Sequence, residues 1–418
     1  MDQKREKFKI VICAHDYPDY VSGPNVWLQR VLPEFRKRNI DCVVLFKISG
    51  NVERCQTLQY LQAEGFSCKI YTGPKYTEHR LKWVLQNVHT EKPDIFIPNF
   101  DLPSLYASRW IREAGIPTVG VLRSDEDIYL GILDEFVSKQ SPYLLSALVC
   151  VSRYLERVAL ENNHNDVLVR RIPSGAPLAD TTVKFPEARM QLVYSGRLVE
   201  KSKQITQTTH AMCRVLHEVP STEAIIYGSG SAESSVAKII SEEGSDIPIT
   251  LGGQIAGDKI QKYLSKGHVF VLLSDYEGLP VSLMEAMANG LVPVCLNIQS
   301  GVPELVEHNK TGLLVNDRSD DFVQAIRKLR FDPELWNRLS KGARKKIETE
   351  YSYRTTADRW IELLQILKNN STQNKMNIPV NGISSLPPVH PLLRRIDHRW
   401  PGYGLYVLRS IKRKLKNI

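Results

Sequence analysis

At 418 residues the chain is long enough for two ordinary domains with separate cores, taking about 100–200 residues per domain. No apolar run approaches the ~18 residues a membrane-spanning helix needs, and the basic start at Lys4, Arg5 and Lys7 leads only into a short strand rather than a signal peptide. The net charge of +9 is local: residues 375–418 carry nine Lys or Arg against Asp397 alone, so the body is nearly neutral and gives no support for nucleic-acid binding. Seven cysteines, an odd number without metal-binding spacing, read as reduced core residues of a cytoplasmic protein.

Strand and helix patterns alternate along the chain, the signature of parallel α/β sheets. Residues 8–14 form the first expected strand. A turn through Gly23 and Pro24 leads to a helix over 24–38, where Gly23 permits close approach to a ligand and Pro24 suits a first helical turn. Strands follow at 42–46, 94–98, 117–122 and 147–152, giving one doubly wound sheet. A polar stretch up to Pro186 reads as a linker, and Gln191 opens a second sheet with strands at 192–195, 224–227, 249–251, 269–273 and 292–296. A helix over 357–367 carries an apolar stripe through Trp360, Ile361, Leu364 and Leu367. Beyond Asn369 a polar linker leads to Pro-rich and basic sequence.

The richest chemistry lies at Glu277-Gly278-Leu279-Pro280-Val281-Ser282-Leu283-Met284-Glu285, two carboxylates with seven residues between them. An apolar strand precedes this segment, a helix over 281–289 begins inside it, and Gly290 ends that helix. Strand, loop and helix start together present unpaired backbone N–H groups to an anion at the carboxyl edge of a parallel sheet. Upstream, Tyr194-Ser195-Gly196-Arg197-Leu198 sets an arginine just past a strand. Downstream come Ser300-Gly301-Val302-Pro303-Glu304-Leu305 and the stretch from His308 to Val315.

On these residues the chain resembles the family 4 glycosyltransferases over about its first 368 positions. The resemblance implies a GT-B fold, with two Rossmann-like parallel-sheet domains facing a central cleft: an acceptor-side domain over 1–185 and a nucleotide-sugar domain over 186–351. It further implies a helix over 352–368 crossing back to the first domain, with 369–418 left as linker and basic tail. The implied activity is retaining transfer of a sugar from a nucleotide sugar to an acceptor hydroxyl, with no metal cofactor, in polysaccharide or glycolipid synthesis. Glu285 takes the ribose hydroxyls and Glu277 lies against the transferred sugar. Arg197 and a lysine about five residues on neutralise the leaving diphosphate. Lys201 and Lys203 straddle that place, and Lys203 is the expected one, leaving Lys201 as a surface charge. Gly278, Leu279, Pro280, Val281 and the glycine loop at Gly23 contact the donor. Tyr227-Gly228-Ser229-Gly230 lacks the third glycine of a dinucleotide fingerprint; Gly228 is either near the nucleotide base or part of a plain turn.

The acceptor side departs from the family, because no histidine occurs near Arg123-Ser124-Asp125-Glu126-Asp127. Asp125, Asp127 and His15 are the acceptor-side candidates, with helix capping the alternative for Asp127. The expected acceptor is a glycan or lipid-linked sugar. Leu405, Leu408, Ile411, Leu415 and Ile418 recur at helical spacing among basic residues, a pattern that fits either an anionic membrane surface, at the inner face of the cell membrane, or docking on the protein's own body. A nucleotide-sugar epimerase, a phosphorylase or a catalytically silent binding protein are the rival readings.

Overall fold

The computed structural model describes residues 8–19, 22–257, 259–371, 377–380 and 386–401. The amphipathic segment expected over 405–418 lies outside them. Two compact units divide the chain. One comprises the chain to Cys150 with Glu156–Ile172 and everything from Ala357 onward; the other comprises Val151–Leu155 and Pro173–Thr356.

The first unit is built on seven parallel strands: β1 (Phe8–Asp16), β2 (Ile40–Ile48), β3 (Ser67–Tyr71), β4 (Ile95–Asn99), β5 (Thr118–Leu122), β6 (Ala147–Cys150) and β7 (Leu168–Arg171). They lie in the order β3-β2-β1-β4-β5-β6-β7. Ile10, Val11 and Ile12 of β1 are wholly buried, as expected of a central parallel strand covered on both faces. Sequence patterning misses β3 because it is an edge strand with no buried residue and so lacks the apolar run. It also misses β7, where Val169 alone is buried.

Chain order reverses between β1 and β4, so the carboxyl ends of these strands flank the switch point where open α/β sheets bind ligands. Asp16 holds this edge together. Its buried carboxylate accepts from Asn25 Nδ2 at 2.9 Å and from the backbone N–H groups of Thr57 at 3.0 Å and Leu58 at 3.1 Å. It thereby caps the helix Gln56–Ala63, whose own N-cap residue, Cys55, supplies no side-chain bond. Burial raises the carboxyl's pKa against the lowering effect of these donors.

The last long helix, Tyr353–Asn369, lies within one residue of the expected 352–368 and extends past the apolar-stripe segment 357–367 at both ends. From Ala357 it packs within the first unit: Trp360 lies 5.3 Å from Trp27 between ring centroids, and Arg38 pairs with Asp358 at 2.6 Å. The sequence beyond residue 368 is not simply linker and tail. Residues 386–401 dock on the same unit because the side chain of Asp397, fully buried, collects donors. Thr77 Oγ1 donates to it at 2.9 Å, Tyr106 Oη at 3.3 Å, and Arg399 through both Nε and Nη2 at 2.7 Å. Trp400 N–H adds a bond to Glu78 at 2.9 Å, and Leu393 is fully buried against Gly131.

Six parallel strands form the second sheet: β8 (Met190–Ser195), β9 (Thr222–Tyr227), β10 (Ile249–Gly253), β11 (Val269–Leu272), β12 (Val292–Leu296) and β13 (Leu313–Val315), in the order β10-β9-β8-β11-β12-β13. Leu192, Tyr194, Ile226, Val269, Val271, Val294 and Trp336 contribute to its core. The boundary expected after residue 185 falls instead between Ile172 and Pro173. The polar stretch that read as linker is tied to the second unit: Val183 N–H donates to Asn289 O at 3.0 Å, and Phe185 packs edge-on against Trp336. All seven cysteines are free. No helix among the described residues is long and apolar enough to cross a membrane.

Candidate functional site

In the second sheet the order reverses between β8 and β11, and the loops leaving these two strands carry most of the singled-out residues. After β8 the chain runs through Gly196-Arg197-Leu198 into the single turn Glu200–Lys203. Gln204, in left-handed backbone at φ 46°, separates this turn from the long helix Ile205–Glu218. The turn is fastened to the loop after β11, since Ser202 O accepts from Asp275 N–H at 3.0 Å and Tyr276 N–H at 3.3 Å. That fastening sets Lys203 opposite Glu277, with Nζ 2.5 Å from Oε1 and side chains only 14% and 7% exposed. Lys201 points into solvent. Arg197 is exposed, and its backbone is held by Tyr194, whose hydroxyl donates to Arg197 O at 2.9 Å.

Backbone packs tightly along this edge, which explains its glycines. Gly228 has φ +142°, and a Cβ there would lie 1.9 Å from Gly196 O; one on Gly230 would lie 2.3 Å from Leu198 O. The Gly-x-Gly after β9 is therefore a turn clasped against the Arg197 loop, with Leu198 N–H donating to Ser229 O at 2.9 Å. Gly301 packs equally closely on the next loop, with its N–H 2.9 Å from Gly278 O.

Glu277, Gly278, Leu279 and Pro280 are buried, and Val281 opens the helix Val281–Ala288. Its N-cap, Pro280, has no side-chain hydrogen bond to offer, so the first-turn N–H groups are not capped from within the loop. Glu285, in the second turn, is buried with 7% exposure among Met284, Ala286 and Met287, which have none. Lysine, carboxylates and an uncapped helix start thus converge on one sheet edge. This arrangement can hold an anion through amide donors and positive charge while a carboxylate accepts from neutral hydroxyls.

The other candidates lie in the first unit. Gly23 is the first residue of the helix Gly23–Lys37, capped by Ser22 Oγ, which accepts from Asn25 N–H at 3.3 Å. His15 stands near the end of β1, with Nε2 3.2 Å from Ser49 Oγ and Nδ1 3.2 Å from Tyr17 Oη. Burial, then the charge of Lys47, pushes its pKa down to about 3, so the ring is neutral. Asp125 and Asp127 follow β5, which β4 separates from β1. The capping alternative for Asp127 fails: the helix Asp127–Leu133 takes Glu126 as its N-cap residue without a side-chain bond, and Asp127 lies exposed in the first turn.

Sequence reasoning misses a cluster beside His15. Register places Lys47 of β2 between His15 of β1 and Tyr71 of β3, and Arg80 pairs with Asp101 nearby. The one available signal was the length of β2, expected to stop at Phe46 but continuing to Ile48.

Residues 180–346 match the family model described as glycosyl transferases group 1. Over 195 residues the chain is 32% identical to the amylovoran biosynthesis glycosyltransferase AmsK of Erwinia amylovora, covering 43% of this chain and 45% of that protein. It is 29% identical over 185 residues to the GDP-mannose-dependent alpha-(1-6)-phosphatidylinositol monomannoside mannosyltransferase of Mycobacterium tuberculosis, covering 42% of this chain and 48% of that one. The chain thus spans about half the length of the curated relatives it matches. Among solved structures, Anabaena HepE in complex with UDP superposes with a TM-score of 0.68 at 16% identity, over 86% of this chain and all of that one. Staphylococcus aureus TarM, in complex with fondaparinux, alpha-GlcNAc-glycerol and UDP, superposes with a TM-score of 0.67 at 14% identity, over 85% and 99% of the respective chains. These likenesses show the fold, which is GT-B, with two parallel-sheet α/β domains.

Proposed function

With residues 180–346 similar to the group 1 glycosyl transferases, we propose that this protein transfers a sugar from a nucleotide-diphosphate sugar to an acceptor hydroxyl, with retention at the anomeric carbon. The observation that carries this reading is the buried Lys203–Glu277 pair set beside the uncapped start of the helix Val281–Ala288. In the proposed complex the amides of that helix and the charges of Arg197 and Lys203 stabilise the negative charge developing on the departing diphosphate. Glu277 keeps Lys203 in place and faces the transferred sugar. Glu285 accepts from the ribose hydroxyls. Gly278, Leu279, Pro280 and Val281 line the donor's path, and the positive side chains do the charge neutralisation that a metal ion would otherwise do. The Gly228 turn supports the Arg197 loop.

The first unit is the acceptor side, with His15, Asp125 and Asp127 the groups that would face a glycan or lipid-linked acceptor, and Gly23 the close-approach position at its first helix. Free thiols throughout support a reducing compartment, the cytoplasm. The basic residues of 375–418 support peripheral attachment to an anionic membrane surface. Vesicles containing anionic lipid should carry the full chain upward in flotation and leave a chain ending at residue 401 behind; equal recovery of the two removes the membrane role.

The donor reading is tested by thermal shift against a panel of nucleoside diphosphates and nucleotide sugars. One of them should raise the melting temperature of the wild type and fail to do so for Glu285→Ala; an undiminished shift in the variant rules out the ribose role. Product analysis with and without acceptor then separates transfer from epimerisation or phosphorolysis.

A further inference from the structure

On one side of the switch point of the first sheet, β1, β2 and β3 run parallel and in register, so that His15, Lys47 and Tyr71 stand side by side in one row. Residues directly paired across parallel strands project from the same face. Beneath the row, Lys47 and Tyr71 line a cavity with room for about one water molecule together with Cys13, Arg80, Trp83 and Asp101, so any larger group meets Lys47 from the open carboxyl edge.

The charges of this cluster do not balance. Arg80 and Asp101 are both buried and satisfy each other, and Asp101 also accepts from Ser104 N–H at 3.2 Å as the cap of the helix Leu102–Glu113. His15 is neutral and already engaged with Ser49 and Tyr17. Tyr71 Oη donates to Pro74 O at 2.6 Å. Lys47 is left as a half-buried ammonium with neither a hydrogen bond nor a carboxylate within ion-pair reach among the described residues. Desolvation, then the neighbouring Arg80, lowers its pKa against the raising effect of Asp101, whose carboxylate is paired with Arg80. Lys47 is of intermediate exposure and stands near the carboxyl end of β2, on the edge at which open α/β sheets bind ligands.

We propose that Lys47, flanked by His15 and Tyr71, is a subsite for an anionic group carried by the acceptor, a phosphate or a carboxylate. The inference rests on the reading of the first unit as the acceptor side. Negative charge at Lys47 completes the cluster: the ammonium donates to the anion's oxygens, and the Ser49 and Tyr71 hydroxyls lie in or beside the same row. The donor stays with the second unit, so the two sites are separable by mutation.

Titration calorimetry of the full chain with inorganic phosphate, glucuronate and, as the neutral control, galactose tests this directly. At least one of the two anions should bind the wild type and galactose should not. Lys47→Met should weaken that binding at least tenfold, while Lys47→Arg keeps it within about threefold. The preferred anion identifies the group, phosphate pointing to a phosphorylated acceptor and glucuronate to an acidic sugar. Thermal melting of each variant checks folding, and its shift with the nucleoside diphosphate that stabilises the wild type checks the donor site. Anion binding equal in Lys47→Met and wild type, no binding of either anion, or galactose binding as well as glucuronate would overturn the proposal. A normal nucleotide shift alongside any of these results leaves the donor reading standing; a missing nucleotide shift alongside Lys47-dependent anion binding damages only the donor reading.

Discussion

The two sheets share parallel topology and a switch point between central strands, yet their carboxyl edges are made differently. The edge at β8 and β11 is a backbone construction, in which loops approach so closely that Gly228, Gly230 and Gly301 have no room for a Cβ, and a helix start is left uncapped. The edge at β1 and β4 is a side-chain construction, with Asp16 tying loops together, a buried Arg80–Asp101 pair, and the row His15, Lys47, Tyr71. On the proposed reading, amide donors and tight turns recognise what is common to all nucleotide diphosphates, while side chains brought together by register can differ from one acceptor to another.

Breaking an ion pair at each edge should therefore have opposite consequences. Arg80→Met leaves Asp101 charged and buried, and urea unfolding should show a loss of about 3–5 kcal/mol, while the melting shift produced by the donor nucleotide persists. Lys203→Met should instead lower turnover about 10²–10³-fold in a donor-consumption assay, the range seen when one preorganised charge-stabilising donor is lost. If Arg80→Met abolished the nucleotide shift, or Lys203→Met left turnover intact, the contrast between the edges would be wrong.

A finer test uses the glycines. Gly228→Ala imposes both an unfavourable φ and a clash with Gly196 O, and should cost about 1–3 kcal/mol. Gly253→Ala has positive φ but nothing within 4 Å, so its destabilisation should be smaller. Equal losses would mean that close loop packing contributes nothing.

A last test concerns pH. His15 is held neutral with a pKa near 3, below the ordinary value of about 6.5 of an unfolded chain. The unfolded state then binds the extra proton first, so the contribution of His15 to stability is complete above about pH 6.5 and declines as pH falls from there towards 3. His268, with its pKa lowered to about 4 by burial, adds a loss of the same sign in the second unit. Stability measured between pH 7 and 4 should fall less steeply in His15→Gln than in the wild type; parallel curves would show that His15 is not kept neutral.

How well each part could be read from the sequence follows from the same division. Central strands such as β1 and β11 are legible because burial on both faces demands continuous apolar runs. Edge strands β3 and β7 are not, since Ser67 and Lys69 or Arg170 and Arg171 are acceptable where one side of a strand meets solvent. Glu277, Glu285 and Arg197 are singled out by motif because the turns that carry them are encoded locally, in glycine and proline positions. The choice of Lys203 over Lys201 is a matter of local spacing too, whereas its partner lies across the sheet edge. Lys47 carries no such mark: in sequence it is one lysine after a strand.

By itself the sequence determined the alternation of elements and the carboxylate segment, because hydrophobic period, helix stops and tight turns are all short-range consequences of side-chain chemistry; the GT-B expectation came with the family resemblance that the carboxylate segment carries. Only the tertiary structure decided where the second unit begins, that residues 386–401 dock through Asp397, and that Lys47 stands between His15 and Tyr71. Those outcomes depend on register and on donors gathered from residues as distant as Thr77 and Asp397, and no local pattern carries contacts made over such separations.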